Sequence, residues 1–206
     1  MWYPILIAFL VSYLLGTLNG SVCISALKAK EDVRSHGSGN AGLPNFVRNY
    51  GTAGSLLVIL IDGGKTALAC LLGGLLLQPY GLQKEGQMLG AVAGTLGHKF
   101  PATLGVRGGK GILCGAVAAL CVDWRICAVL LTVFVITVAL TRLVSLGSVL
   151  GAAGFAIGFG VLYWHQPWVA AGGIFLGVLA IVMHRKNIVR LLQGTESKLV
   201  LKGKKK

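Results

Sequence analysis

A glycine-rich basic stretch of the sequence carries the strongest signal for phosphate chemistry. GHKFPATLGVRGGKG, residues 97 to 111, places Gly108, Gly109 and Gly111 around Lys110 just before an apolar segment. Glycines at a helix N-terminus leave free N–H groups at the positive end of the helix dipole, and Lys110 adds a full charge. We therefore predict a phosphate-binding loop here, rather than only a tight turn between two short helices.

Two further polar stretches and one short turn carry groups suited to the same anion. HGSGNAGLPNFVR, residues 36 to 48, offers small and amide residues with Arg48 at its end, although alone it also fits an ordinary loop. HRKNIVRLLQGTE begins with His184, and on a continuing helix Asn187 shares its face, so an imidazole and an amide can point at one anion. The turn at residues 141 to 145 adds the guanidinium of Arg142.

One ion pair is expected inside an apolar segment. Asp62 and Lys65 are three residues apart, so on a helix they can meet on one face. Ionised groups within a membrane are costly, and pairing towards the bundle interior is the expected remedy. The sequence leaves open whether this pair is structural or contacts substrate.

The composition indicates that these groups belong to a membrane protein. Of 206 residues, 55% are hydrophobic and only 12% are charged, half of the roughly 25% that is typical of a soluble domain. The net charge of +13 fits anionic headgroups, membrane topology and an anionic substrate better than nucleic acid, because no polar domain remains to bind it. The five cysteines show no disulfide framework and no metal-ligand spacing, so we expect neither a metal nor a cofactor.

Seven apolar segments predict an all-α integral membrane protein with seven transmembrane helices in a single domain, residues 1 to 206. Segments three and four have only about 12 apolar residues, roughly 18 Å of helix against a hydrocarbon core of ~30 Å. The N-terminal segment is expected to be a retained span, since it has no basic n-region or cleavage site. The segments lie at about 5 to 27, 52 to 77, 86 to 97, 111 to 122, 126 to 141, 143 to 164 and 168 to 183.

The basic residues predict the orientation of this bundle. With the N-terminus outside, sixteen of the nineteen Lys and Arg residues fall on one side, which the positive-inside rule makes cytoplasmic. Lys84 and Arg125 are left outside, and Lys65 lies within a span. We therefore expect a cytoplasmic C-terminus and cytoplasmic active-site loops at about 28 to 51, 98 to 110, 141 to 145 and 184 to 206.

Taken together, the three polar stretches resemble the cytoplasmic motifs of PlsY, the bacterial acyl-phosphate:glycerol-3-phosphate acyltransferase family. SGNAGLPNFVR, GHKFPATLGVRGGKG and HRKNIVRLLQGTE occur in the family's order, each after an apolar segment, and DGGK and TRLVS are similar to two further family positions. The resemblance implies seven spans in the inner membrane and an outside N-terminus. It also implies transfer of a fatty acyl group from acyl phosphate to the 1-hydroxyl of glycerol 3-phosphate, giving lysophosphatidate and inorganic phosphate.

The resemblance also implies roles for individual residues. Ser38, Asn45 and Arg48 carry over from the first stretch, and His184, Asn187 and Glu196 from the third. Gly108, Gly109, Lys110 and Gly111 carry over as the acyl-phosphate loop. One position departs from the family pattern, because Pro44 stands where the family usually has threonine.

These residues predict a mechanism based on charge. Lys110 and the glycine loop are expected to hold the leaving phosphate, Arg48 and Arg142 to hold glycerol phosphate, and Ser38 and Asn187 to orient reacting oxygens. His184 is a candidate base, but we favour a substrate phosphate as proton acceptor. An acyl-enzyme on Ser38 would need an oriented base, which no spacing indicates.

Two other classes of function are weighed against the enzyme. A transporter of small organic anions would need ionisable groups at mid-membrane and matching broken helices, and only Asp62 and Lys65 lie that deep. A non-catalytic scaffold would have no use for three anion-binding loops on one face. Substrates and membrane lipid are the expected partners, with no required protein partner.

Overall fold

The computed structural model describes residues 2 to 199, and over that range the chain forms helices, turns and loops without a strand. Lys202, Lys204, Lys205 and Lys206, part of the basic count above, lie outside the described residues. Residues 2 to 199 contain ten α-helices: α1 (Trp2–Thr17), α2 (Gly20–Ala29), α3 (Leu43–Tyr50), α4 (Ser55–Leu77), α5 (Gln83–Lys99), α6 (Ile112–Val122), α7 (Trp124–Thr141), α8 (Val144–Leu162), α9 (Pro167–Met183) and α10 (Arg185–Leu192).

Every predicted apolar segment is helical in the structure, and the helices differ in length. Within the described residues, four helical stretches are long and apolar enough to cross a membrane: Trp2–Ala29, Ser55–Tyr80, Trp124–Thr141 and Val144–Leu162. The α9–α10 pair adds a fifth if it is taken as one bent span. The seven-span count remains a prediction, because it depends on α5 and α6, which have 17 and 11 residues.

The short and less apolar α5 lies in the middle of the bundle. It packs against α1, α4, α6 and α9, so neighbouring helices cover most of its surface. Gly73 of α4 and Gly86 of α5 face each other so closely that a Cβ on either would overlap the other backbone. By contrast, α7 lies at the periphery, and Ile126 is its one buried residue. A central helix needs little lipid-facing hydrophobic surface, which explains why α5 has a weak apolar signal.

The first predicted span is broken, a feature that the sequence analysis did not anticipate. Leu18 and Asn19 separate α1 from α2, and the Asn19 side chain accepts the Val22 N–H at 3.0 Å to cap α2. The buried ion pair of Asp62 and Lys65, with Lys65 Nζ 2.8 Å from Asp62 Oδ1, binds the backbone at this break. Lys65 donates to the Leu18 carbonyl, and Asp62 accepts the Gly20 N–H at 3.0 Å.

These contacts give the ion pair a structural role. Backbone groups released by a helix break inside a membrane must find partners within the protein. Asp62 and Lys65 supply them, and His98 completes the cluster with Nδ1 2.9 Å from the Lys65 ammonium. The pair that the sequence left unassigned thus holds together the backbone at the break between α1 and α2.

The last predicted stretch does not continue the seventh helix. The chain bends by 58° between α9 and α10, with His184 at the junction. The stretch is helical from Arg185 to Leu192, but the expectation that it continues the seventh helix without a break is wrong. After the bend, α10 packs against α8 as well as α9, and this packing places its residues at the site.

Candidate active site

The glycine loop is docked directly on the end of α5. The Gly108 N–H donates to the Lys99 carbonyl at 3.1 Å, and the Gly109 N–H donates to the His98 carbonyl at 3.2 Å. A Cβ on Gly109 would overlap the His98 imidazole and lie 2.8 Å from the Ala41 carbonyl. Glycine is required here by close approach, and the loop is fixed before any substrate binds.

Lys110 points from this loop to the third stretch. Its ammonium donates to Oδ1 of Asn187, and both side chains are largely shielded from solvent. Burial lowers the pKa of Lys110, and the positive charges of Arg190 and Arg48 lower it further, whereas Glu196 raises it. Asn187 also donates to Glu196, which accepts from Arg190, so these two charged groups are linked to Lys110 through hydrogen bonds.

Glu196 organises the side of the site opposite the glycine loop. Its carboxylate accepts from Asn187 Nδ2 at 2.9 Å, from Arg190 Nε at 2.6 Å and from the Ser145 hydroxyl. Burial raises the pKa of Glu196, but the hydrogen bonds from Ser145, Arg190 and Asn187 outweigh this effect and leave the pKa below its usual value. Because Glu196 and Ser145 hold its Nδ2, Asn187 must direct its oxygen at Lys110.

His184 lies at the bend beside these residues. It is 3% exposed, and its Nδ1 is 2.8 Å from the Ala180 carbonyl. A carbonyl can only accept, so Nδ1 carries the proton and Nε2 is the nitrogen available to accept one. The geometry is compatible with His184 as a base, the alternative to a substrate phosphate as proton acceptor.

The first loop is held in shape by Asn45. The amide nitrogen donates to the carbonyls of Val33 and His36 at 3.0 and 3.1 Å, and Oδ1 accepts the Ser38 N–H at 3.0 Å. With its polar atoms engaged in this way, Asn45 holds the loop in shape, and its expected part in substrate binding stays a prediction. Ser38 remains exposed at the tip of the loop.

Arg48 and Pro44 lie on α3 within the same stretch. Arg48 is exposed in the last turn of the helix. Pro44 occupies the first turn, where helix N–H groups have no partner within the helix, so its missing N–H costs no hydrogen bond. The departure from the family pattern at Pro44 is therefore compatible with the local fold.

Two arginines connect the loops. Arg34 donates to the Leu104 carbonyl at 2.7 Å and to the Arg107 carbonyl at 3.1 Å, which joins the first stretch to the glycine loop. Arg142 ends α7 with a positive φ of 60°, is exposed, and accepts the Leu199 N–H at 2.7 Å through its carbonyl. Residues far apart in the sequence thus form one surface at one end of the bundle.

The structure adds residues that the sequence analysis did not assign to the site. Ser145 and Arg190 are partners of Glu196, and Lys99 lies beneath the glycine loop. A signal existed for Arg190, which lies three residues after Asn187. No spacing could have connected Ser145 to Glu196, because 51 residues separate them.

Comparisons with known proteins agree with this architecture. The family model described as glycerol-3-phosphate acyltransferase matches residues 6 to 194. The glycerol-3-phosphate acyltransferase of Thermoanaerobacter pseudethanolicus is 35% identical over 197 residues, covering 96% of each chain. That of Finegoldia magna is 37% identical over 196 residues, covering 95% of this chain and 96% of the relative.

Solved structures show the same fold. The crystal structure of PlsY (YgiH), an integral membrane glycerol 3-phosphate acyltransferase, in its glycerol 3-phosphate form aligns with a TM-score of 0.83 and 28% identity. The alignment covers 95% of this chain and 96% of the chain in that structure. The lysophosphatidic acid form aligns with a TM-score of 0.79. The fold and site define a multi-pass membrane acyltransferase. The chain belongs to the glycerol-3-phosphate acyltransferase family, the PlsY family, which confirms the resemblance seen in its motifs.

Proposed function

We propose that this protein transfers a fatty acyl group from acyl phosphate to the 1-hydroxyl of glycerol 3-phosphate, giving lysophosphatidate and inorganic phosphate. Family membership supports acylation of glycerol 3-phosphate. The observation that supports an acyl phosphate donor is the glycine loop, which presents Lys110 beside the imidazole, amide and guanidinium groups of the other stretches. Both substrates are phosphate anions, so clustered positive charge is what such a site needs.

The reaction requires mainly alignment and charge stabilisation. The acceptor hydroxyl attacks the acyl carbonyl carbon, a new ester C–O bond forms, and the bond between that carbon and the phosphate oxygen breaks. The hydroxyl proton passes to the departing phosphate, or to His184 Nε2 in the alternative route. Lys110 and the N–H groups at the start of α6, next to Gly111, stabilise the charge growing on the phosphate. Gly108 and Gly109, whose N–H groups donate to the carbonyls of Lys99 and His98, shape the loop around it.

The acceptor is assigned to the opposite side of the site. Arg48 and Arg142 hold the phosphate of glycerol 3-phosphate, and Ser38 and Asn187 orient the reacting oxygens. Asn45 and Glu196 hold these groups in place and supply no positive charge to the phosphates. Asp62 and Lys65 stabilise the fold beneath them.

Phosphate release is the direct test of this function. Purified protein incubated with acyl phosphate and glycerol 3-phosphate should release inorganic phosphate and form lysophosphatidate with no second protein or acyl-CoA added. Replacing acyl phosphate with acyl-CoA should give no product. Absence of release, together with transport of glycerol 3-phosphate into vesicles, would instead favour a transporter.

Arg48 is predicted to affect acceptor binding above all. An exposed guanidinium that binds the unreacting phosphate contributes about the same binding free energy in the ground state and in the transition state. Arg48→Ala should therefore raise KM for glycerol 3-phosphate by ~10 to 100-fold, the factor that corresponds to the loss of one charged hydrogen bond. Arg48→Lys should restore only part, because a bidentate group becomes a point charge. Steady-state kinetics with each substrate varied in turn measures this, with the exposed Arg185→Ala as control. A rise in KM for acyl phosphate alone would contradict the assignment.

The site is further proposed to face the cytoplasm of the bacterial inner membrane. Single cysteines at Arg48, Lys110 and Arg190, in a background without the five native cysteines, should react with impermeant thiol reagents only from inside. Lys84→Cys is the matched control and should react from outside, because Lys84 lies among residues at the opposite end of the bundle, 2.6 Å from the Tyr163 hydroxyl. Outside labelling at any of the first three positions would contradict a shared cytoplasmic site.

A further inference from the structure

A second lysine lies buried beneath the glycine loop. Lys99, the last residue of α5, is 1% exposed, and among the described residues its ammonium has no hydrogen-bond partner. Its side chain runs directly under Gly111, where a Cβ would lie 2.7 Å from Lys99 Cε. The left-handed φ of +76° at Gly111 brings the start of α6 against this side chain. The Lys99 side chain therefore lies directly beneath the loop that carries Lys110.

A second buried polar group converges on the same point. Thr95 lies one turn earlier on α5, and its hydroxyl also has no partner among residues 2 to 199. Its methyl group lies 3.3 Å from a Cβ placed on Gly111. The first N–H groups of α6, which begins at Ile112, have no partner within that helix and carry the positive end of its dipole. The side chains of Lys99 and Thr95 and the N-terminus of α6 thus meet at Gly111, and the ammonium and the hydroxyl that these side chains carry are both buried without partners among the described residues.

This arrangement is what a bound anion requires. A buried ammonium without a partner is strongly unfavourable, and proteins pair such charges or use them to bind anionic ligands. The positive charges of Lys110 and Lys99 both act on His184, so both lysines belong to the surroundings of this imidazole. A phosphoryl group carries up to two negative charges and several acceptor oxygens, and therefore matches two ammonium groups, a hydroxyl and backbone N–H groups.

We propose that Lys99, with Thr95 and the N-terminus of α6, binds the phosphoryl group of the acyl donor, which becomes the departing phosphate. This assignment rests on the proposed function, in which the glycine loop holds the donor. Glycerol 3-phosphate carries the same phosphate chemistry, but its predicted ligand Arg48 is exposed on α3, whereas Lys99 lies under the loop. Lys99 thus discriminates between two phosphates by position.

The test uses inorganic phosphate as a probe, so that it does not depend on turnover. Phosphate should raise the thermal midpoint of the wild-type protein relative to chloride at equal ionic strength, since a ligand that binds only the folded state stabilises it. Lys99→Met keeps the shape of the side chain and removes its charge, and should raise Kd for phosphate at least ~10-fold. Thr95→Val should raise it less, by ~3 to 10-fold. Kd for glycerol 3-phosphate should change less than threefold in both variants.

Lys84→Met is the matched control, because it makes the same change at the other end of α5 and should leave Kd for phosphate unaltered. KM for acyl phosphate should follow the phosphate Kd in Lys99→Met. If the wild type releases no phosphate from the two substrates, the proposed function fails, while the phosphate titration still decides the role of Lys99. A wild type that phosphate does not stabilise overturns the proposal, as does a phosphate Kd within threefold of wild type in Lys99→Met. Equal weakening of phosphate and glycerol 3-phosphate overturns the assignment to the donor.

Discussion

Replacing Lys110 with alanine should lower kcat by ~100 to 1,000-fold while the protein keeps its fold. The ammonium is positioned beforehand by the glycine loop and by Asn187 Oδ1. In the mechanism that we propose, it faces the phosphate on which charge grows as the acyl bond breaks. An interaction that is stronger in the transition state than in the ground state acts on kcat, and losing one such preorganised donor typically has this effect. Single-turnover and steady-state measurements of phosphate release would separate the chemical step from product release.

Two controls make this prediction specific. Lys198→Ala removes an exposed lysine near the end of the described chain and should leave kcat within twofold of wild type. Lys110→Met keeps much of the buried side-chain volume, so a loss shared with Lys110→Ala cannot come from packing. If Lys110→Ala stays within about threefold of wild-type kcat, the leaving phosphate is not bound where we place it.

Much of the fold could be predicted from the sequence because lipid imposes a simple rule. A helix that faces hydrocarbon must be apolar over its length, and all seven predicted segments form helices in the structure, the first of them as two helices. The break at Leu18 and Asn19 escaped prediction because its partners, Asp62 and Lys65, come from another helix. Local patterns carry no information about such long-range contacts.

The site shows the same division between local and long-range information. The glycine loop was predictable, since its residues are adjacent and a helix follows them directly. The bend at His184 was not predictable. The sequence His184, Arg185, Lys186 lies at the end of an apolar segment, where polar residues fit a continuing helix as well as a bend. The burial of Lys99 depends on the loop folding back over α5, whereas in the sequence it looks like one more surface cation.

Glu196 is the residue whose neutralisation should most disturb the organisation of the site. Its carboxylate is 7% exposed and holds Asn187, Arg190 and Ser145 together. Glu196→Gln replaces one acceptor oxygen with a donor, so at least one of these three donors loses its partner. Asn187 is then free to turn its oxygen away from Lys110. Because hydrogen bonds to a charged group are worth ~1.5 to 3 kcal/mol, we expect kcat to fall ~10 to 100-fold.

The pH dependence of stability distinguishes this role from a general loss of packing. The pKa of Glu196 in the folded protein lies below its usual value of 4.5. A group with a lowered folded pKa contributes stability that is present above the unfolded pKa and lost as pH falls through the folded pKa. The thermal midpoint of Glu196→Gln should therefore lie below wild type at pH 6 to 8, and the gap should close below about pH 4. Glu85→Gln, at the opposite end of the bundle, is the control and should not reduce kcat. A gap that persists unchanged at low pH would mean that Glu196 stabilises the site by its shape and not by its charge, and Asn187 would then owe its orientation to Ser145 alone.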